Sequence, residues 1–270
     1  MNLITLRPPT HIIQKVRHLI GLPAPMRPAY LKAALDYLSP RISLCKTLKR
    51  VVSSAGDEEI RRVVESALAD ETIWRIKETR PHTTGTLSDN ELVLLHCLVL
   101  LIKPDIIVET GVAHGSSSAA LLSALHKNGK GALYSIDLPT VEINGKVQAM
   151  FKGYSFRLED VSVVPGYDQV GWLVPEFLKD RWHLQLGDSL TVLPDTLKCI
   201  GNIDMFIHDS LHWYSHMRSE FELVWPYLKA HGVLLSDDIF LLRHSAISDF
   251  AASVKTEFTN FFGMGIICKS

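Results

Sequence analysis

Acidic residues stand where short apolar runs end. Glu109, Asp137, Asp188, Asp209 and the pair Asp237-Asp238 each lie at or just past the end of a β-rich segment, the edge at which open α/β sheets hold ligands. Turn chemistry could place one acid there, because Asp favours turns and helix caps. A succession of them points instead to a cleft lined with carboxylates. Residues Ile106 to Gly115 read Ile-Ile-Val-Glu-Thr-Gly-Val-Ala-His-Gly and open into the small-residue stretch Ser116 to Ala124. Gly111 lets the chain turn with positive φ, and Gly115 lets backbone approach a ligand or the following helix closely. The spacing departs from G-x-G-x-x-G, so no pyrophosphate cradle and no nicotinamide chemistry is expected. Glu109 suits a ligand carrying positive charge or hydroxyl and ammonium donors. Asp209, Asp237 and Asp238 come from two neighbouring strand ends and make a hard, oxygen-rich set suited to Mg²⁺ or a similar ion.

These residues need elements to carry them. Strands are predicted at Ile106 to Thr110, Ala132 to Asp137, Trp182 to Gly187, Ile203 to His208 and Gly232 to Ser236, with helical stretches between most of them. That alternation implies an α/β fold, a doubly wound, mostly parallel sheet with helices on both faces. Ser88 with Glu91 predicts a capping box before the apolar helix Leu92 to Ile102. Phe258 to Phe262 and Gly265 to Cys268 predict an antiparallel hairpin at one sheet edge. Residues 1–85 read as a helical extension, a lid or an oligomerisation element, in which Ile60, Val63, Val64, Ala67 and Leu68 make one apolar face of a helix beginning after Gly56. The second unit is then 86–270, with an insertion at about 139–181. That insertion is too long for an ordinary connection and must contain structure of its own. Phe151, Tyr154, Phe156, Tyr167 and Trp172 make it aromatic, and with the amino-terminal helices it is expected to wall a substrate pocket.

Bulk properties exclude several classes. With 28 basic and 29 acidic residues among 270, the net charge is −1, which argues against a nucleic-acid partner. Hydrophobic residues at 47 % and charged residues at 21 % are ordinary globular usage. The first residues lack the uninterrupted apolar core of a secretory signal. Leu92 to Ile102 is about half the length needed to cross a bilayer. Cys45, Cys97, Cys199 and Cys268 form no C-x-x-C pair, as expected of reduced packing residues in a cytoplasmic protein.

The chain from about Thr86 to Cys268 resembles a class I S-adenosylmethionine-dependent methyltransferase, in particular the small-molecule and sugar O-methyltransferases. The resemblance is carried by Val108-Glu-Thr-Gly-Val-Ala-His-Gly115, Ser135-Ile-Asp137, Leu186-Gly-Asp-Ser189, Phe206-Ile-His-Asp-Ser-Leu-His212 and Trp225 to Asp238. It implies a Rossmann-like methyltransferase fold with a seven-stranded sheet. It implies that Glu109, Gly111, Gly115 and Ser116 belong to the cofactor loop and that Gly111 and Gly115 line the methionine part. It further implies that Asp137 accepts from the ribose hydroxyls, that Asp188 and Ser189 lie near the adenine edge, and that Asp209 borders cofactor and acceptor. Metal-using relatives place acids at Asp209, Asp237 and Asp238, and related macrolide-sugar enzymes use as base a histidine at the place of His212.

Methyl transfer from a sulfonium is an in-line displacement, so the protein must align an acceptor and, for a hydroxyl, help remove its proton. The expected partner is a small-molecule methyl acceptor, with a homo-oligomer open and a membrane not expected. Two alternatives stand beside this: metal-independent N- or carboxyl methylation on the same fold, and a non-catalytic adenosylmethionine-binding scaffold. A third reading takes His208, His212 and His216 with Asp209 as an iron site. Strand alternation argues against it, because His208 should point to the face opposite Asp209 and keep the three rings apart.

Overall fold

The computed structural model describes residues 27–36, 39–81, 87–144, 146–151, 162–240 and 246–270. Tyr154 and Phe156 lie outside them. Helices α1 (Arg27–Asp36), α2 (Pro40–Val51), α3 (Asp57–Leu68) and α4 (Glu71–Thr79) precede α5 (Asp89–Ile102). Then follow β1 (Ile106–Thr110), α6 (Ser116–Asn128), β2 (Ala132–Asp137), the small hairpin β3 (Thr140–Ile143) and β4 (Lys146–Ala149), and β5 (Trp182–Leu186). The chain closes with α7 (Ser189–Ile200), β6 (Ile203–His208), α8 (Tyr214–Val224), β7 (Leu228–Ser236), α9 (Ala246–Ser253), β8 (Phe258–Phe261) and β9 (Met264–Cys268).

Seven strands form one sheet in the order β5-β2-β1-β6-β7-β9-β8. The pairs from β5 to β7 are parallel, while β9 runs antiparallel to both β7 and β8. The edge hairpin expected from Phe258 to Cys268 is therefore present. Strand order reverses between β1 and β6, so the open crevice lies over their carboxyl ends.

Alternation along the buried strands sends neighbours to opposite faces. Ile107, Met205, Ile207 and Leu235 join one apolar core with α2 to α6, whereas Val108, Phe206 and Leu234 join another with α7, α8 and α9. The amphipathic face expected for α3 is buried at Ile60, Val64, Ala67 and Leu68. Its core side chains, with Leu44, Leu48, Ile73 and Ile76, belong to the same cluster as the sheet, so this layer rests on α5 and α6. Full burial of such a side chain contributes about 1.5–3 kcal/mol.

Polar caps fix the layer's position. The Ser88 capping box forms with both reciprocal bonds, and the second oxygen of Glu91 accepts from the Gly263 amide at 3.0 Å in the β8–β9 turn. Asp70 caps α4 by accepting from the Ile73 amide at 3.0 Å. It also meets Ser123 at 3.1 Å and Lys127 at 2.8 Å on α6. The four cysteines are free, and no helix among the described residues is long and apolar enough to cross a membrane.

Candidate functional site

The glycine turn ties three strand ends together. Gly111 has φ 86° and its amide donates to the Ile136 carbonyl at 2.9 Å, while the Asp209 amide donates to the Thr110 carbonyl at 2.8 Å. A Cβ on Gly111 would lie 2.0 Å from the Asp209 carbonyl oxygen. Gly111 is thus required by the close approach of the chain just past the ends of the paired strands β1 and β6. Gly115 also has a positive φ, 88°. A Cβ there would lie 2.7 Å from Gly171 Cα, so the space beside it is filled by the insertion.

Asp137 braces this turn: its Oδ1 accepts from the amides of Val112 at 2.7 Å and Ala113 at 3.2 Å. Burial pushes its carboxyl up while those amides pull it down, with a net rise. Its other oxygen accepts no hydrogen bond from a described residue. Glu109 is fully buried; Oε2 accepts from Ser118 at 2.6 Å and Ser135 at 2.8 Å, and Oε1 has no partner among the described residues. Ser116 begins α6 with its hydroxyl likewise buried and unpartnered. Buried polar atoms are seldom left so, and these two lie on either side of the glycine turn. Asp188 caps α7, accepting from the Leu190 amide at 2.8 Å. It stands beside Asp137, whose carbonyl accepts from the Gly187 amide at 2.8 Å.

The ends of β6 and β7 gather a second group. Asp209, His212 and Asp237 each offer a ligand atom, all within 4.8 Å of one another, and His212 Nε2 lies 3.9 Å from Asp209 Oδ1. Asp238, at φ 50°, stands outside that trio and contributes charge. Desolvation first, then repulsion from Asp238, holds both Asp209 and Asp237 well above the usual carboxylate range. Glu91 adds further repulsion to both. Oxygen and imidazole ligands with uncompensated negative charge fit a divalent cation.

Beneath this lies a network that sequence reasoning missed. Glu220, fully buried on α8, accepts from Thr110 at 2.6 Å, Ser210 at 2.8 Å and the hydroxyl of Ser189. It also meets His208 Nδ1 at 2.7 Å and His216 Nε2 at 3.0 Å. Burial would raise Glu220, but the attraction and hydrogen bonds of the two histidines hold it well below its ordinary value. The expectation that His208 keeps away from the other histidines is corrected: its ring centroid lies 5.3 Å from that of His212 and 6.5 Å from that of His216. Alternation ends with the strand at His208, and the turn before α8 carries His212 back over the same face. Helical spacing then aims His216 and Glu220 inward. One signal was readable. Met217, Glu220, Phe221 and Val224 are spaced as a core stripe, and an acid within such a stripe demands buried partners. The Ser189 hydroxyl donates into this network.

The insertion holds structure of its own, as expected: the β3–β4 hairpin and short 3₁₀ turns at Tyr167–Gln169 and Glu176–Arg181. Its segment 171–174 lies on the glycine turn, Gly171 donating to the Ala113 carbonyl at 2.8 Å and Leu173 to the His114 carbonyl at 3.0 Å.

The fold has counterparts among known proteins. Residues 108–239 match a family model described as a methyltransferase domain. An adenosylhomocysteine-bound methyltransferase of Podospora anserina is 15 % identical, with 74 % of this chain and 88 % of that chain covered and a TM-score of 0.53. The O-methyltransferase TomG of Streptomyces achromogenes, of tomaymycin synthesis, is 17 % identical over 76 % of this chain and 94 % of that chain, with a TM-score of 0.50. An O-methyltransferase of Bacillus cereus is 14 % identical with the same coverages and TM-score. Curated protein sequences give no match. The fold is the one shared by these methyltransferases, and the segment that matches the methyltransferase-domain model holds the glycine turn and the acidic strand ends.

Proposed function

We propose that the protein methylates a hydroxyl of a small metabolite, sugar or natural product, assisted by a divalent ion and by His212. The observation that carries this reading is the convergence of Asp209, His212 and Asp237 within 4.8 Å, at the crevice where the strand order reverses. Support also comes from the O-methyltransferases that share the fold.

Each residue has a part. Glu109, Gly111, Gly115 and Ser116 form the turn against the cofactor's amino-acid half, and Asp137 turns its open oxygen to the ribose hydroxyls, a charge-assisted contact. Asp188 borders the base, with Ser189 contributing its backbone. The cofactor supplies the electrophilic methyl group. Asp209 and Asp237 hold the ion, and Asp238 strengthens the field that attracts it. When bound, the ion acts as a Lewis acid that lowers the acceptor hydroxyl's pKa. His212 then takes the proton as general base.

A second reading has its own observation in its favour. His212 lies close enough to both acids to be the third ligand, which would leave proton removal to another group. His212→Gln separates the two. As a base, its loss lowers transfer by 10²-fold or more and leaves Mn²⁺ affinity unchanged; as a ligand, its loss weakens Mn²⁺ tenfold or more.

The test is methyl transfer from labelled adenosylmethionine to a panel of hydroxylated metabolites and glycosides, with and without chelator. Transfer to a hydroxyl that chelator abolishes and Mg²⁺ restores supports the reading. Chelator-insensitive transfer to an amine or carboxylate defeats it in favour of metal-independent N- or carboxyl methylation. Cofactor binding without transfer to any acceptor class would favour a scaffold.

A further inference from the structure

The insertion does more than cover the glycine turn. Trp172 donates its indole N–H to His114 Nδ1 at 2.9 Å, with the rings edge to face at 81° and centroids 6.0 Å apart. An indole nitrogen only donates, so Nδ1 must be an acceptor and carries no proton. Burial lowers the pKa of His114, which keeps the ring neutral. Its single proton therefore sits on Nε2.

Nothing among the described residues accepts that proton. His114 is 4 % exposed, and its position is rigid because the backbone of 171–173 is bonded to residues 113 and 114. Gly171 is itself fixed: a Cβ there would lie 2.2 Å from the Trp182 ring. Two residues on, the Ser116 hydroxyl, 5 % exposed, also lacks a partner. Both groups stand at the N-terminus of the 13-residue α6, whose dipole and open amides favour an anion.

We propose that His114, oriented by Trp172, is a cofactor-binding residue whose Nε2–H donates to the carboxylate of the cofactor's amino-acid end. This rests on the adenosylmethionine reading of the site. Adenosylmethionine has one anionic group, and a histidine N–H and the open amides of a helix N-terminus can only donate, with a serine hydroxyl beside them free to donate as well. The sulfonium and ammonium belong with the acids at 109 and 209. Trp172 is a positioning residue: it removes the alternative tautomer, in which Nε2 would present a lone pair and repel the carboxylate.

Calorimetry with two nucleosides tests this directly, since adenosylhomocysteine carries the carboxylate and 5′-methylthioadenosine does not. His114→Phe keeps a flat ring and removes the donor. The expected result is a loss of about tenfold or more in adenosylhomocysteine affinity, with methylthioadenosine affinity within twofold of wild type. Trp172→Phe keeps an aromatic wall without the N–H and should weaken adenosylhomocysteine severalfold. Nitrogen NMR on labelled histidine should show His114 as the Nε2–H tautomer in wild type and as a mixture in Trp172→Phe. Unchanged adenosylhomocysteine binding in His114→Phe overturns the proposal. So does an equal loss for both nucleosides, or an Nδ1–H tautomer in the wild type. Wild-type protein that binds neither nucleoside overturns the cofactor reading itself.

Discussion

Replacing Gly111 by alanine tests the glycine turn at its tightest point. The new Cβ would stand 2.0 Å from the Asp209 carbonyl oxygen, where ordinary contact begins at 3.4 Å. The difference, 3.4 minus 2.0, requires about 1.4 Å of movement. Neither side can give freely, because the amides of Gly111 and Asp209 are bonded into β2 and β1 at 2.9 and 2.8 Å. The positive φ costs about 1–2 kcal/mol for a residue with a Cβ, and losing one of the two bonds costs about 1 kcal/mol. A total of roughly 2–3 kcal/mol lowers Tm by about 5–10 °C. The movement falls on Asp209, and a displacement near 1 Å costs about 10²-fold in a positioned reaction. Gly129→Ala is the control: φ is 69°, but nothing lies within 4 Å. It should show the conformational cost alone, with cofactor affinity intact. Thermal unfolding and adenosylhomocysteine calorimetry on both variants decide the matter. If Gly111→Ala matches Gly129→Ala in Tm and in affinity, the close approach at the ends of β1 and β6 does not set the site.

Two further outcomes follow from the buried charges. His96 is held at about 4, against 6.5 in an unfolded chain, chiefly by burial. Between those values the unfolded chain takes up a proton that the native state refuses. Stability from this residue is therefore complete above pH 6.5 and lost as pH falls toward 4, up to roughly 3 kcal/mol at about 1.4 kcal/mol per pH unit. Urea midpoints measured against pH should fall less steeply in His96→Gln over that window; parallel curves would refute the assignment. Glu220→Gln leaves two histidines and three hydroxyls around a neutral amide, so stability should drop by about 3 kcal/mol with an unchanged urea m-value. A midpoint equal to wild type would show that the network contributes nothing.

Much of the scaffold was legible because its signals are local. Strands β1, β2 and β6 begin and end where their apolar runs do, and Ser88 with Glu91 announced the start of α5. The face of α3 was readable from spacing alone. What escaped depends on pairs distant in sequence. The neighbour of Gly115 is Gly171, and nothing near Gly115 says so. His208 was misjudged because alternation governs residues within a strand and says nothing about a turn that folds back over it. Glu220 looked like any helical acid until its helix faced β6. Asp238, adjacent to Asp237 in sequence, stands outside the trio that includes His212.

Metal-assisted methylation requires an ion to bind at the ends of β6 and β7. Protein saturated with adenosylhomocysteine should be titrated with Mn²⁺, following free ion by electron paramagnetic resonance. One bound ion per chain, lost in Asp237→Asn and retained in Asp188→Asn, is the predicted result. Absence of binding at millimolar Mn²⁺, or binding indifferent to Asp237, would contradict metal-assisted methylation at this site.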